Sequence, residues 1–440
     1  MNPSLFLSGN KIEGEPNLLF DKADPSAAHG QVYWGLRRFG PYDKDIVKTI
    51  RLAHLAPAGR INDSKRIVQD LNGGTDIMPW GMPAFFRCKI EEVDSYQVDS
   101  IRTQDFIDAA NRLMASHDPR QIDVVLCTIP WTSRYFKNTP YYRLKSAFTT
   151  RGFVTQMITE HALGNLKWSY LNLASSLFAK AGGIPWVLES EMKETDMILG
   201  VDIAEVVSLR KRIGALARFV GFVNVFDRYG RWLFFEGTGR AYERGKNFEQ
   251  LQELLQRAIE RFQAESSERR PPRNIVIHYY KRFGYEEMEY VKQILKKALG
   301  DFKVAFISID SSHAYRLYDL SVPDGGFPRG AYAYLSNDEI LLSTTGFTEL
   351  AKRRMGTPKL LHIKVKQFPA DFLTLDDIAL QVLSLTKLDW ATATPLVREP
   401  VTMQFSQEIA YLTGAITEQE WEGLSKPGVN EILSRRTWFI

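Results

Sequence analysis

Residues 218–237 read RFVGFVNVFDRYGRWLFFEG. Two apolar runs, rich in aromatic and β-branched residues, flank Asp227-Arg228-Tyr229-Gly230, which predicts an antiparallel hairpin. Just before it, DMILGVDIAE (196–205) reads as a further strand. Just after it, NFEQLQELLQRAIERFQAE (247–265) has the spacing of a long amphipathic helix. A strand at NIVIHYY (274–280), a helix at YEEMEYVKQILKKAL (285–299) and a strand at FKVAFISI (302–309) complete the series. A strand and hairpin that flow into strand–helix–strand are the order of an RNase H-like domain. AYAYLSNDEILLSTT (331–345) reads as a second hairpin, and Thr374 with Asp377 as a capping-box start to the helix that follows.

The first half alternates differently. A strand lies within 42–57, a helix spans 103–117, and IDVVLCTIP (122–130) is a nearly all-apolar run that suits a buried parallel strand. FVTQMIT (153–159) is another strand, and the helix in 165–181 closes on Gly182 and Gly183, where a C-terminal cap belongs. This order predicts a small doubly wound, Rossmann-like α/β domain with ligands beyond the carboxyl ends of its strands. The polar stretch 263–274 is expected to be a surface loop.

With 440 residues, the chain is long enough for two or more domains. A charged fraction of 25% and a formal net charge of +4 are ordinary, so global charge alone does not demand a nucleic acid partner. Two cysteines, Cys88 and Cys127, without CxxC or Cys/His spacing argue against zinc or a disulfide framework and fit a reducing compartment. No signal peptide and no run of about 18 apolar residues is present, so a cytoplasmic protein without a membrane span is expected.

The chemistry concentrates in NTPYYRLKSAF (138–148). Asn138 or Thr139 can cap a helix that starts at Pro140. Tyr141 and Lys145, four residues apart, share one helix face, and the free N–H groups of the first turn attract anions. Arg143 adds a cation and Tyr141 a stacking face, a set that suits the phosphorylated end of a nucleic acid strand. The competing reading is an amphipathic helix with core tyrosines and solvated cations. Tyr142 and Leu144 are assigned to the core in either case. In the second half, Asp202 stands where the first acid of a two-metal nuclease would be. IVIHYYKR places His278, Tyr279 and Tyr280 where a second acid should follow, while Glu205 and Glu236 read as ordinary strand surfaces. Basic clusters at 210–212, 269–273, 281–282, 352–354 and 364–366 suggest a phosphate-binding channel. No GxSxG, P-loop or HExxH motif is present, and a missing Gly-rich fingerprint argues against a nucleotide-dependent small-molecule enzyme.

NTPYYRLKSAF, VTQMI, LNLASSLFAKAGGIPWVLES, SLTKLDW, the terminal RRTWFI and GLRRFGPYD (35–43) together resemble the short prokaryotic Argonaute family, including the archaeal Piwi proteins. The resemblance covers nearly the whole chain and implies an N-terminal segment (1–37) packed on PIWI, a Rossmann-like MID domain (38–185) and an RNase H-like PIWI domain (186–440). It implies that Tyr141, Lys145, Gln156, Asn172 and Lys180 bind the 5′-phosphate end of a short guide RNA (or DNA). It further implies that Gln156 and the C-terminal carboxylate of Ile440 share Mg2+ (or Mn2+) with the guide phosphates. Asp202 matches the first place of the slicer tetrad and Tyr280 departs from the acid-containing pattern, which implies a catalytically degenerate PIWI domain and no enzyme activity in this chain. An active guide-directed endonuclease with an unusual metal site is the alternative. The family further implies pairing with complementary target DNA from an invader. A partner, an APAZ-containing effector of Sir2, TIR or nuclease type, then forms a heterodimer with the chain in prokaryotic defence.

Overall fold

The computed structural model describes residues 7–131, 133, 136–207, 217–243, 247–266, 269–320, 325–346, 357–370, 372–393 and 397–440. The fold is α/β throughout. In the first half, β1 (Thr49–Pro57), β2 (Lys89–Val98), β3 (Val124–Ile129) and β4 (Thr155–Thr159) form a parallel sheet in the order β2-β1-β3-β4. Every residue of β3 is buried, as its continuous apolar run requires of a strand covered on both faces. One face packs on α1 (Thr103–Ser116) and α2 (Pro140–Thr149), through Leu113, Cys127, Leu144 and Phe148. The other packs on α3 (Tyr170–Lys180), through Leu126, Ala174 and Leu177. Gly182 sits at φ +96°, and the Gly183 N–H donates to Phe178 O (2.9 Å), closing the helix as the double glycine predicts.

The second half is built on β5 (Met197–Glu205), β6 (Arg218–Asp227), β7 (Trp232–Gly237), β8 (Asn274–Tyr279) and β9 (Lys303–Asp310). Their spatial order is β7-β6-β5-β8-β9: a three-stranded antiparallel meander with two parallel strands added, the RNase H-like arrangement that the hairpin announced. The sheet continues beyond β9 through Leu361–Phe368, Glu339–Leu342 and Ala331–Ser336. Its edge is the N-terminal strand Gly9–Lys11, antiparallel to Ala331–Ser336. Helices α4 (Asn247–Glu265) and α5 (Tyr285–Leu299) cover one face. Helix α6 (Val401–Thr413) crosses the other so closely that a Cβ on Gly200 of β5 would stand 2.3 Å from Thr402 O. Glycine is therefore required there.

A small sheet of Leu18–Leu19, Ala28–His29 and Val187–Leu188 joins the halves. Beside it, the buried Trp186 indole donates to Lys387 O (2.9 Å), and the Trp390 indole donates to Trp186 O (3.1 Å). Cys88 and Cys127 are free and buried. No helix among the described residues is long and apolar enough to cross a membrane.

Candidate nucleic-acid interface

Helix α2 begins at Pro140 with Thr139 in the N-cap position, but the Thr139 hydroxyl makes no capping bond. Tyr142 and Leu144 are buried and Tyr141 is half-buried. Arg143, expected in the anion site, instead pairs with Glu420 (3.4 Å). Its direction from the helix takes it to the neighbouring domain.

Lys145 is only 2% exposed and Lys180 only 1%. They enter one space from opposite faces of the β3–β4 pair, Lys145 from α2 and Lys180 from the last turn of α3. Lys145 Nζ donates to Trp438 O (2.8 Å) and Ile440 O (3.4 Å). Lys180 Nζ donates to Gln156 Oε1 (2.6 Å) on β4. Burial pushes the Lys145 ammonium down to about 8, opposed by Glu408. Burial, and then the charge of Lys145, hold Lys180 well below the usual lysine range. Each buried ammonium is thus hydrogen-bonded to uncharged or main-chain oxygens. The side-chain carboxylate that acts on both is Glu408 of α6. Two cations held this way favour an incoming anion, and Lys180 meets the sheet at Gln156, the second residue of β4, which pairs with Leu126 of β3.

The structure therefore brings together Lys145, Gln156, Lys180 and Ile440, while Tyr141, one turn before Lys145 on α2, stacks edge-on against Tyr142 (ring centroids 5.0 Å). Asn172 lies earlier on α3 and its Oδ1 accepts from Ala393 N (2.9 Å), so its oxygen braces a loop of the second half. Glu408 and the Trp438 carbonyl were not anticipated. A main-chain carbonyl leaves no mark on residue type, and Glu408 joins the site only because α6 packs against α2. Arg436 adds a further tie across the halves, to Asp123 (3.3 Å), which also holds Arg51 (2.9 Å).

For a divalent cation, Gln156 Oε1 and Ile440 O are hard oxygen donors of the right type. Both accept from lysine here, and among the described residues no group of three His, Cys, Asp or Glu could hold a metal. The donor set fits a cation whose remaining ligands are phosphate oxygens and water.

Asp202 on β5 is 5% exposed, and one of its oxygens accepts from Ile203 N (2.7 Å). Burial pushes its carboxyl up to about 7, against the pull of Lys281. The β5–β8 register ends at Gly200 with His278; Tyr280 follows the last residue of β8, and Tyr279 shares a cavity lining with Asp202. His278 is fully buried, bonded to Thr402 Oγ1 (2.8 Å), and burial lowers it to about 3. Glu205 is exposed. Glu236 corrects the strand-surface expectation: it is buried and paired with Arg261 (2.9 Å) and Arg257 (3.6 Å) of α4.

Among the described residues, the basic clusters lie at separate places and several of their members are paired with acids. Arg273 and Lys281 lie beyond opposite ends of β8. Arg270 pairs with Asp196, and Lys364 and Lys366 with Glu339 and Asp338. The clusters at 210–212 and 352–354 lie outside the described residues.

A Piwi domain family model matches residues 125–417. The protein argonaute of Aquifex aeolicus (strain VF5) is 24% identical over 301 residues, which are 67% of this chain and 39% of that protein. Among solved structures, Clostridium butyricum Argonaute bound to a guide DNA (5′ deoxycytidine) and a 19-mer target DNA superposes with a TM-score of 0.70 at 18% identity. It covers 94% of this chain and 53% of that one. A structure of Aa-Ago with externally bound siRNA gives a TM-score of 0.65 at 16% identity, covering 92% and 53%. The chain thus spans about half the length of the solved Argonautes it matches, and 39% of the curated one.

Proposed function

The chain belongs to the Piwi domain family, that of the Argonautes, and on this premise we propose that it binds the 5′-phosphate end of a short guide RNA (or DNA) and presents that guide to complementary target DNA. The observation that carries this reading is the pair of buried lysines, Lys145 and Lys180, converging with Gln156 and Ile440. A terminal phosphate brings roughly −1.5 to −2 charges and three acceptor oxygens. It offsets both ammonium groups and leaves Tyr141 to offer its ring and hydroxyl at the rim. Gln156 and Ile440 would hold Mg2+ (or Mn2+) beside it. The cation supplies charge neutralisation, while the lysines orient the phosphate and the half-buried Tyr141 shields it from water.

Target cleavage is not part of this reading. A two-metal centre needs several carboxylates. Tyr280, just past the end of β8, brings no carboxylate, and burial favours the protonated form of Asp202. Signalling then falls to an APAZ-domain effector of Sir2, TIR or nuclease type, in a heterodimer that acts in cytoplasmic defence against invading DNA. In domain terms, 38–185 acts as MID, 186–440 as PIWI, and 1–37 as an arm on PIWI.

The test is binding of one short strand in its 5′-phosphorylated and 5′-hydroxyl forms. Preference for the phosphorylated form is expected, and equal affinity overturns the proposal. Guide-loaded protein with complementary target and Mg2+ or Mn2+ should leave the target intact. Cleavage that disappears in Asp202→Ala would reverse the non-cleaving part alone.

A further inference from the structure

Beside Asp202 the second half contains a cavity of about 310 Å3. Leu251, Leu254 and Val291 of α4 and α5 form its apolar wall, and the rings of Tyr242, Tyr279 and Phe283 also line it. Asp202 and Thr238 contribute buried polar groups, while Lys281 and Arg282 stand exposed at its mouth. We propose that this cavity binds one nucleotide unit, with the heterocycle among the aromatic rings, its hydrogen-bonding edge on Asp202 and Thr238, and its phosphate at Lys281 and Arg282.

Size is the first argument. The volume lies at the small end of ligand pockets, too small for a peptide segment and suited to a single base with its sugar. Chemistry is the second. A mostly apolar wall with a few convergent polar groups suits a flat heterocycle, whose face stacks and whose edge needs donors and acceptors. Thr238 Oγ1 accepts from Gly221 N (3.2 Å), which fixes that hydroxyl within the wall. Burial raises the Tyr242 and Tyr279 phenols, so both stay neutral donors. Glu287, also in the lining, is raised by burial as well. A divalent cation is the poorer occupant: the acids are pushed toward their neutral forms, the wall is apolar and the mouth is cationic.

The proposal is independent of the 5′-phosphate site, and the test separates the two. AMP, GMP, CMP and UMP are titrated into the full chain by equilibrium dialysis, with the matching nucleosides in parallel. At least one is expected to bind saturably at one site. Gly221 lines the cavity, and a Cβ there would stand 3.3 Å from the Tyr242 hydroxyl, so Gly221→Val narrows the space without removing a charge. It should weaken nucleotide binding by roughly tenfold or more, about 1.4 kcal/mol, and leave 5′-phosphorylated strand binding unchanged. Lys145→Ala should do the reverse. At pH 8.5, above the raised pKa of about 7, Asp202→Asn exchanges an acceptor-only carboxylate for an amide that also donates, in nearly the same shape, and should change the ranking of the four bases. Competition by a 5′-hydroxyl oligonucleotide, lost when one base is removed, assigns the occupant to a strand; absence of competition assigns it to a free nucleotide. Either result supports the proposal. No saturable binding by any of the four, binding that survives Gly221→Val but not Lys145→Ala, or an unchanged ranking in Asp202→Asn overturns it, as does Mn2+ binding abolished by Asp202→Asn.

Discussion

The first half of the molecule buries two cations, Lys145 and Lys180, and the second half buries an acid, Asp202. Both arrangements meet the same desolvation cost, and each resolves it differently. The lysines are hydrogen-bonded to the Trp438 carbonyl, the Gln156 amide oxygen and a terminal oxygen of Ile440 and share the attraction of Glu408, so an arriving anion offsets the charge that remains. Asp202 has a main-chain N–H, a distant lysine and apolar neighbours, so a proton completes it. A buried charge therefore indicates function by what would neutralise it. In the first half that is an anion, which the proposed function takes to be phosphate; in the second it is a proton.

The largest test of this contrast is Lys145→Ala combined with Lys180→Ala. Each lost charged hydrogen bond costs roughly 1–3 kcal/mol, less than additively for neighbours, so preference for a 5′-phosphorylated strand should fall about a hundredfold in competition binding. Next is Asp202→Asn. The folded-state pKa of about 7 exceeds the unfolded value, so Asp202 lowers stability progressively as pH rises from about 4 to 7. The asparagine variant should be more stable by on the order of 4 kcal/mol at pH 8 and unchanged at pH 4, by denaturant titration. If the gain persists at pH 4, the acid is not neutralised by a proton.

A smaller effect concerns pH and the guide. Lys145 has a folded-state pKa of about 8, below the unfolded value. Its charge therefore costs stability below about pH 8, and the free protein gains stability as pH rises from about 8 toward 10.5. Phosphate binding needs the charged form, so strand affinity should fall roughly fourfold between pH 7 and 8.5. Calorimetry in buffers of different ionisation enthalpy should show proton uptake on binding. Smallest is Tyr141→Phe, which keeps the ring and removes one hydroxyl. It should weaken binding by about 1 kcal/mol or less, and Tyr141→Ala by more.

Much of this was legible because local chemistry dictates it. Pro140 opens α2, the double glycine closes α3, and Thr374 accepts from Asp377 N (3.1 Å) as the capping box predicts. The hairpin around Asp227 set the RNase H-like order, and burial of Tyr142 and Leu144 followed from helical spacing. What the sequence did not show depended on distant partners. Arg143 reaches Glu420, and Glu236 is buried by arginines of α4. In the cluster at 364–366, Lys364 and Lys366 pair with acids, Glu339 and Asp338, that lie far away in sequence and so left no local sign.

The bond from Lys145 to Trp438 spans 293 positions of sequence. Synthesis proceeds at roughly 5–20 residues per second, so about 15–60 s separate the emergence of the helix from that of its final partner. During that interval the first domain has its strands and helices but not the far wall of its anion site. Until residues 438–440 are added, Lys145 lacks the oxygens of Trp438 and Ile440 that hold it, so this buried cation is set only once both halves are present.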